Sequence, residues 1–231
     1  MSLFSNNSIN CAKCGEIFTM EVVGSINADR RPDLREAILA DSFQDSTCPS
    51  CGNASRLEPS FTYVDAGRGQ WILSMPAREM PAYRAAEAQA ASLFARSYGA
   101  DAPKSAQEVG VSLVPRLTFG WPAAREKLLI RELGLDDTVV EMVKLDLLRR
   151  VADAPLAPGV EQRLVGMENE RMRFVWLGAA DEGVLSDVSV GREIYDVIAA
   201  DTTGWGEIRE LLTDGYFVDM QKTYMGDGSP A

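Results

Sequence analysis

"CAKCG" at residues 11–15 returns as "CPSCG" at residues 48–52, and the two stretches use all four cysteines of the chain. Each has the form Cys-x-x-Cys-Gly. Two residues between the cysteines let a tight turn aim both sulfurs at one ion, and the turn's backbone amides can donate to the thiolates. Glycine after the second cysteine permits the positive φ that such a knuckle needs. Two knuckles supply four thiolates, a tetrahedral all-sulfur set that suits Zn²⁺. Between Cys14 and Cys48 lie 33 residues, room for a strand and a short helix. The pattern favours one structural zinc held by Cys11, Cys14, Cys48 and Cys51 over a thiol redox pair, an iron or iron–sulfur site, or disulfides. Four thiolates leave no open position, so the ion is expected to be structural rather than catalytic. Apparent binding energies of structural zinc are on the order of 10 kcal/mol. That is large against the few kcal/mol a core of about 70 residues supplies.

The chain has 231 residues, 46% apolar and 25% charged, the composition of a soluble globular protein. No apolar run approaches the roughly 20 residues that span a bilayer. The opening "MSLFSNNSIN" carries no basic region or export signal, so the expected compartment is the cytoplasm, where thiols stay reduced. The net charge is −11, and residues 1–76 carry six basic against nine acidic residues. Nucleic-acid binders present basic faces, and this chain has no basic run. Histidine is absent. No Ser-His-Asp or Cys-His nucleophile can therefore be assembled, and no mixed Cys/His metal site.

Residues 1–76 read as a β-rich module around the cysteines. "EIFTMEVV" alternates Phe18, Met20 and Val22 along a half-buried strand. "NADRRPDLREAILADS" predicts a short helix with Asp29 near its start, Pro32 in its first turn, and Leu34, Ile38 and Leu39 as its apolar stripe. "SFTYVD", "AGRG" and "QWILSM" predict a hairpin. Pro76 and Pro81 flank a boundary. Beyond it, "PAYRAAEAQAASLFARSYG" is helical, "DAPKSAQEVG" a polar loop, and "VSLVPRLTF" a strand that Pro115 places at a sheet edge. A helical pair follows near 122–150, one helix from Pro122 to Gly134, the next capped by Asp136 or Asp137. "VEQRLVGMENERMRFVWLG" predicts a hairpin with Glu168, Glu170 and Arg171 at its tip. "GREIYDVIAAD" and "WGEIRELLTD" predict short helices, "GYFVDMQKTYM" a last strand, and "GDGSPA" a frayed tail. The expected class is α+β: an N-terminal four-cysteine, zinc-ribbon-like β module with an inserted short helix (1–76), then a mixed α/β C-terminal region (77–231).

The start "MSLF", the two cysteine pairs, "VVGSINADRRPDLREAILADSF" between them and "FTYVDAGRGQWILSMP" after them resemble the bacterial CpXC family, named for two Cys-Pro-x-Cys motifs. Only the second pair keeps the proline, Pro49; Ala12 replaces it in the first. Proline presets a turn but ligates nothing, so this departure leaves the ligand set intact. "AREKLLIRELGLDDTVVEMVKLDLL", residues 124–148, resembles the block after the cysteine module in longer members. The resemblance implies zinc binding through Cys11, Cys14, Cys48 and Cys51, and brings no activity with it.

Other features read as architecture. Asp136 and Asp137 suit a helix start, and "GRG" at 67–69 a hairpin turn. Trp71, Trp121, Trp176 and Trp205 suit core or interface anchors. Asp29, Arg30 and Arg31 suit a solvated turn rather than a phosphate clamp. The expected role is a zinc-stabilised interaction or scaffold protein whose partner is another protein, with no membrane. A nucleic-acid-associated zinc ribbon is the alternative, and an enzyme using C-terminal carboxylates comes third.

Overall fold

The computed structural model describes residues 1–178 and 182–226. Its N-terminal half is built on a five-stranded sheet in the order β1-β2-β5-β6-β7. These strands are β1 (Leu3–Asn10), β2 (Ile17–Asn27), β5 (Phe61–Asp65), β6 (Gln70–Met75) and β7 (Val114–Phe119). The pairs β1–β2 and β5–β6 are antiparallel, whereas β2–β5 and β6–β7 are parallel. Parallel pairs need crossovers, and the chain supplies two. The first carries helix α1 (Pro32–Leu39) and a two-stranded ribbon, β3 (Asp45–Thr47) with β4 (Ala54–Arg56). The second carries α2 (Tyr83–Tyr98) and α3 (Lys104–Gly110).

Strand β6 is buried along its whole length because both sheet faces are covered. On one face Ile72 joins Val23, Ile26, Phe61 and Tyr63 under Leu34 and Ile38 of α1 and Trp121 and Leu128 of α4 (Gly120–Glu132). On the other, Trp71, Leu73 and Met75 meet Tyr83, Ala86 and Ala90 of α2. The alternation of "QWILSM" between two apolar faces is the period of a strand with helices on both sides. Pro115 lies on β7, an edge strand, as the missing N–H requires.

Helix α5 (Asp137–Arg150) leads into a three-stranded antiparallel sheet, β10-β9-β8, formed by β8 (Val160–Glu168), β9 (Arg171–Gly178) and β10 (Val184–Gly191). The β8–β9 turn places Asn169 and Glu170 at positive φ, the twist that a two-residue hairpin turn demands. Helices α6 (Arg192–Ala200) and α7 (Gly206–Thr213) complete a third apolar cluster. It joins Val140, Val143 and Leu147 of α5 to Leu164, Met172, Phe174, Ile198 and Leu212. Among the described residues, no helix is long and apolar enough to cross a membrane.

The architecture is α+β, as expected, with several local differences. "DAPKSAQEVG" contains α3, whose amphipathic run is too short to stand out in the sequence. "GYFVDMQKTYM" forms no strand; its centre is a 3₁₀ turn, Met220–Thr223, capped by the Asp219 side chain. Strands β1, β3, β4 and β10 have no counterpart among the expected elements. The expected tail Gly226–Ala231 lies, after its first residue, outside the described residues.

A chain of ions runs through the interior. Lys144 Nζ on α5 contacts Glu126 Oε2 of α4 at 2.8 Å and Glu141 Oε2 at 2.9 Å. Arg163 of β8 contacts Glu126 at 3.1 Å and Glu161 and Asp219 at 2.6 Å each. Lys127 links Glu141 to Asp137, which also pairs with Arg116 at 2.7 Å. Removing one partner from such a network leaves an uncompensated buried charge, typically about 3–5 kcal/mol.

Candidate metal centre

The two knuckles fold alike. In the first, Cys11 N–H donates to Glu16 O at 2.9 Å and Gly15 N–H to Cys11 O at 2.9 Å. In the second, Cys48 N–H donates to Asn53 O at 2.9 Å and Gly52 N–H to Cys48 O at 3.0 Å. Gly15 and Gly52 sit at φ +75° and +69°, so the glycine of each repeat occupies the left-handed position it was expected to serve. The exchange of proline for Ala12 leaves this hydrogen-bond pattern unchanged. One knuckle joins β1 to β2, and the other joins β3 to β4.

These turns bring the four cysteines together. Cys11 Sγ lies 3.7 Å from Cys51 Sγ, and Cys14 Sγ 3.6 Å from Cys48 Sγ. All four sulfurs fall within 4.8 Å of one another, an arrangement that could hold a metal ion. Thiolates at about 2.3 Å from a tetrahedral ion would stand about 3.8 Å apart, so the observed edges suit such an ion. They are far longer than the roughly 2.05 Å of a sulfur–sulfur bond. Cys11 and Cys48 are buried, Cys51 is half-buried and Cys14 is exposed.

The electrostatics ask for a cation. Amide donors at Cys14 and Lys13 lower the Cys11 thiol to about 6. The amide at Glu16 likewise favours the Cys14 thiolate. The neighbouring sulfurs of Cys51, Cys11 and Cys48, with some loss of hydration, outweigh it and push Cys14 up to about 12. In the metal-free protein, then, the Cys11 sulfur ionises readily while the Cys14 and Cys51 thiols are pushed up. A divalent ion removes that conflict by replacing the protons.

The remaining candidates take the architectural roles expected of them, with one exception. Asp136 caps α5, accepting from Thr138 N–H at 2.8 Å and Val139 N–H at 3.3 Å. Asp137 instead turns inward to Arg116 and Lys127; burial opposes its ionisation, but these cations hold its carboxyl well below the usual range. Asp29 accepts from Ala66 N–H and Gly67 N–H at 2.8 and 2.9 Å, tying the start of α1 to the β5–β6 turn. Trp121 lies between Phe61 and Phe43 with Arg56 over its ring, and Trp71 packs against Phe94 in a different cluster. Trp205 stands under Arg149. The tryptophans therefore do not share one pocket. Sequence reading missed the ion chain. Its one signal was the charged set Asp137, Glu141 and Lys144, at helical spacing within an apolar stripe.

The model of the family described as CpXC protein matches residues 9–144. The match spans both knuckles, most of the five-stranded sheet, α4 and the first half of α5. No curated protein and no solved structure matches the chain. With more than half its length matched and all four sulfurs gathered in one cluster, the chain belongs to the CpXC family.

Proposed function

We propose that Cys11, Cys14, Cys48 and Cys51 hold one structural zinc ion, and that the protein works through its surface as an interaction or scaffold protein of the cytoplasm. The observation that carries the metal reading is the pair of sulfur–sulfur edges at 3.6 and 3.7 Å. Zinc bound there would clamp the β1–β2 hairpin to the β3–β4 ribbon, and no catalytic step is assigned to it.

Two features support a protein partner over a nucleic acid. The basic cluster of the cysteine module is neutralised by neighbouring carboxylates. Arg31 pairs with Asp33 at 2.7 Å, and Arg35 is buried against Asp65, Glu36 and Glu132. Four thiolates with one Zn²⁺ would add two further negative charges to a chain already at −11. Beside the knuckle, edge strand β1 reads "LFSNNSIN", without one charged residue, and is exposed along most of its length. Edges are ordinarily guarded by charge, proline or a covering element, so a bare one suits strand addition by a partner.

Protein purified without added metal is expected to contain about one equivalent of zinc. A protein co-purified from native cells is expected to be lost when Asn6→Lys and Ser8→Lys place charge on β1. Predominant iron would overturn the metal reading. Oligonucleotide binding tighter than about 1 μM that weakens steeply with salt would overturn the partner reading in favour of a nucleic-acid-associated zinc ribbon.

A further inference from the structure

A cavity of about 440 Å³ opens where the α4–α5 turn meets strands β6 and β7, and none of the cysteines lines it. Its volume lies in the range of small-molecule sites. Ile72, Val114, Ile130 and Leu135 give it apolar walls. Lys127 of α4 also borders it, but its three donors are taken by Asp137, Glu141 and Val218 O. Arg131 follows Lys127 by one helical turn, so it stands on the same face of α4 and borders the same cavity. It is exposed, and its guanidinium has no ion pair or hydrogen bond among the described residues. Arg116 gives Asp137 two N–H bonds, at 2.7 and 2.9 Å, and Pro115 O a third at 2.9 Å. One hydrogen remains on each of its terminal nitrogens. Across the turn, Asp136 N–H donates to the Tyr195 hydroxyl at 2.8 Å, and only Asp136 Oδ1 serves the cap of α5. Its Oδ2 has no partner among the described residues. Arg131 and Asp136 thus border one cavity with opposite charges, yet they do not pair with each other.

We propose that this cavity binds an α-amino acid with an apolar side chain, as its zwitterion. The carboxylate meets Arg131 and the outer N–H groups of Arg116, the planar forks suited to it. The ammonium meets Asp136 Oδ2, and the side chain lies against Ile72, Ile130 and Leu135. An acid without the ammonium would set its charge beside the open oxygen of Asp136. An amine without the carboxylate would face two guanidinium groups and leave both unanswered. Lys127 and Asp137 take no part, because each is already committed to its neighbours in the ion chain.

The test uses L-leucine on the full metal-loaded chain, beside its two half-molecules. These are 4-methylpentanoate, which lacks the ammonium, and 3-methylbutylamine, which lacks the carboxylate. Backbone amide resonances of residues 134–138 report binding. Leucine is expected to shift them saturably below about 5 mM. Each half-molecule is expected to bind at least about tenfold more weakly, the loss of one charge-assisted contact. Asp136→Asn keeps the helix cap, since Asn serves there as well as Asp, and is expected to bring leucine and 4-methylpentanoate to within about twofold. Arg131→Gln, at an exposed position, is expected to cut leucine affinity by at least about fivefold. No saturable shift at about 5 mM leucine, or a half-molecule that binds the unaltered protein as tightly as leucine, would overturn the proposal. So would an Asp136→Asn protein that still prefers leucine to 4-methylpentanoate by the original ratio.

Discussion

At the scale of single residues, the chemistry rests on the glycines as much as on the cysteines. Nothing lies within 4 Å of a Cβ built on Gly15 or Gly52, so an added methyl group meets no obstacle. The penalty of substitution is confined to the left-handed backbone, about 1–2 kcal/mol for an L-residue. Gly52→Ala is therefore expected to weaken zinc affinity by about tenfold without removing a ligand. Competition against a chromophoric chelator measures this, and Gly52→Asn should lose less, since Asn tolerates that region. Unchanged affinity for Gly52→Ala would mean that the knuckle has no fixed geometry before the ion arrives.

At the scale of elements, the knuckles sit on hairpins that differ in support. Strands β1 and β2 belong to the large sheet, whereas β3 and β4 pair only over three residues each, Asp45–Thr47 with Ala54–Arg56. So short a ribbon leans on its flanks, where Gln44 donates to Glu21 O at 3.2 Å and Arg56 to Phe43 O at 3.0 Å, and on the proposed ion at its tip. Cys48→Ser is expected to strip amide protection from residues 11–16 and 45–56 while α4 and α5 keep theirs, read by hydrogen exchange. Loss extending over residues 1–76 alone would support a division of the chain near residue 76; uniform loss would indicate one cooperative unit joined through β6 and β7. The elements legible in the sequence were those with strong local signals: the Cys-x-x-Cys-Gly knuckles, Pro32 opening α1, Asp136 capping α5, and the double-faced run of β6. Strand β1 was hidden because "LFSNNSIN" lacks the alternation of a half-buried strand, and edge exposure explains that lack. The segment after Gly215 has the apolar content of a strand, but Phe217 and Val218 are buried without pairing in any sheet. The ion chain and the cavity join residues far apart in sequence, and no local pattern announces such partners.

At the scale of the whole molecule, the buried ions make stability depend on acid. Burial disfavours the charged form of Asp219, but Arg163 and Lys144 outweigh it and lower the carboxyl from 3.8 to about 2. Asp137 is likewise lowered by Lys127 and Arg116. A depressed carboxyl stabilises the fold above its unfolded value and loses that contribution as pH falls through its folded one. Stability should hold near pH 5 and fall steeply from about pH 4 toward pH 2. Glu141 is raised by burial, so its opposing effect acts only above its ordinary value of 4.5, outside this window. Urea midpoints across this range, taken on zinc-free protein so that metal release does not contribute, give the check. A flat profile below pH 4 would show that the carboxylates are not ionised in the folded state.

The same chain of ions governs when the protein can fold at all. Polar contacts bind residues 216–220 into the interior. Lys127 Nζ donates to Val218 O at 2.6 Å, Phe217 N–H to Glu87 Oε1 at 2.8 Å, Met220 N–H to Glu141 Oε2 at 3.0 Å, and Arg163 pairs with Asp219. A ribosome that has released everything as far as α7 has therefore produced a chain whose central helices hold charges without their final counterparts. The knuckles can take up metal early in synthesis, but the interior between α4, α5 and β8 must wait for this late segment. A transcript cut short before codon 216 would yield polypeptides with both knuckles complete and unable to close their core, ready substrates for cellular proteases.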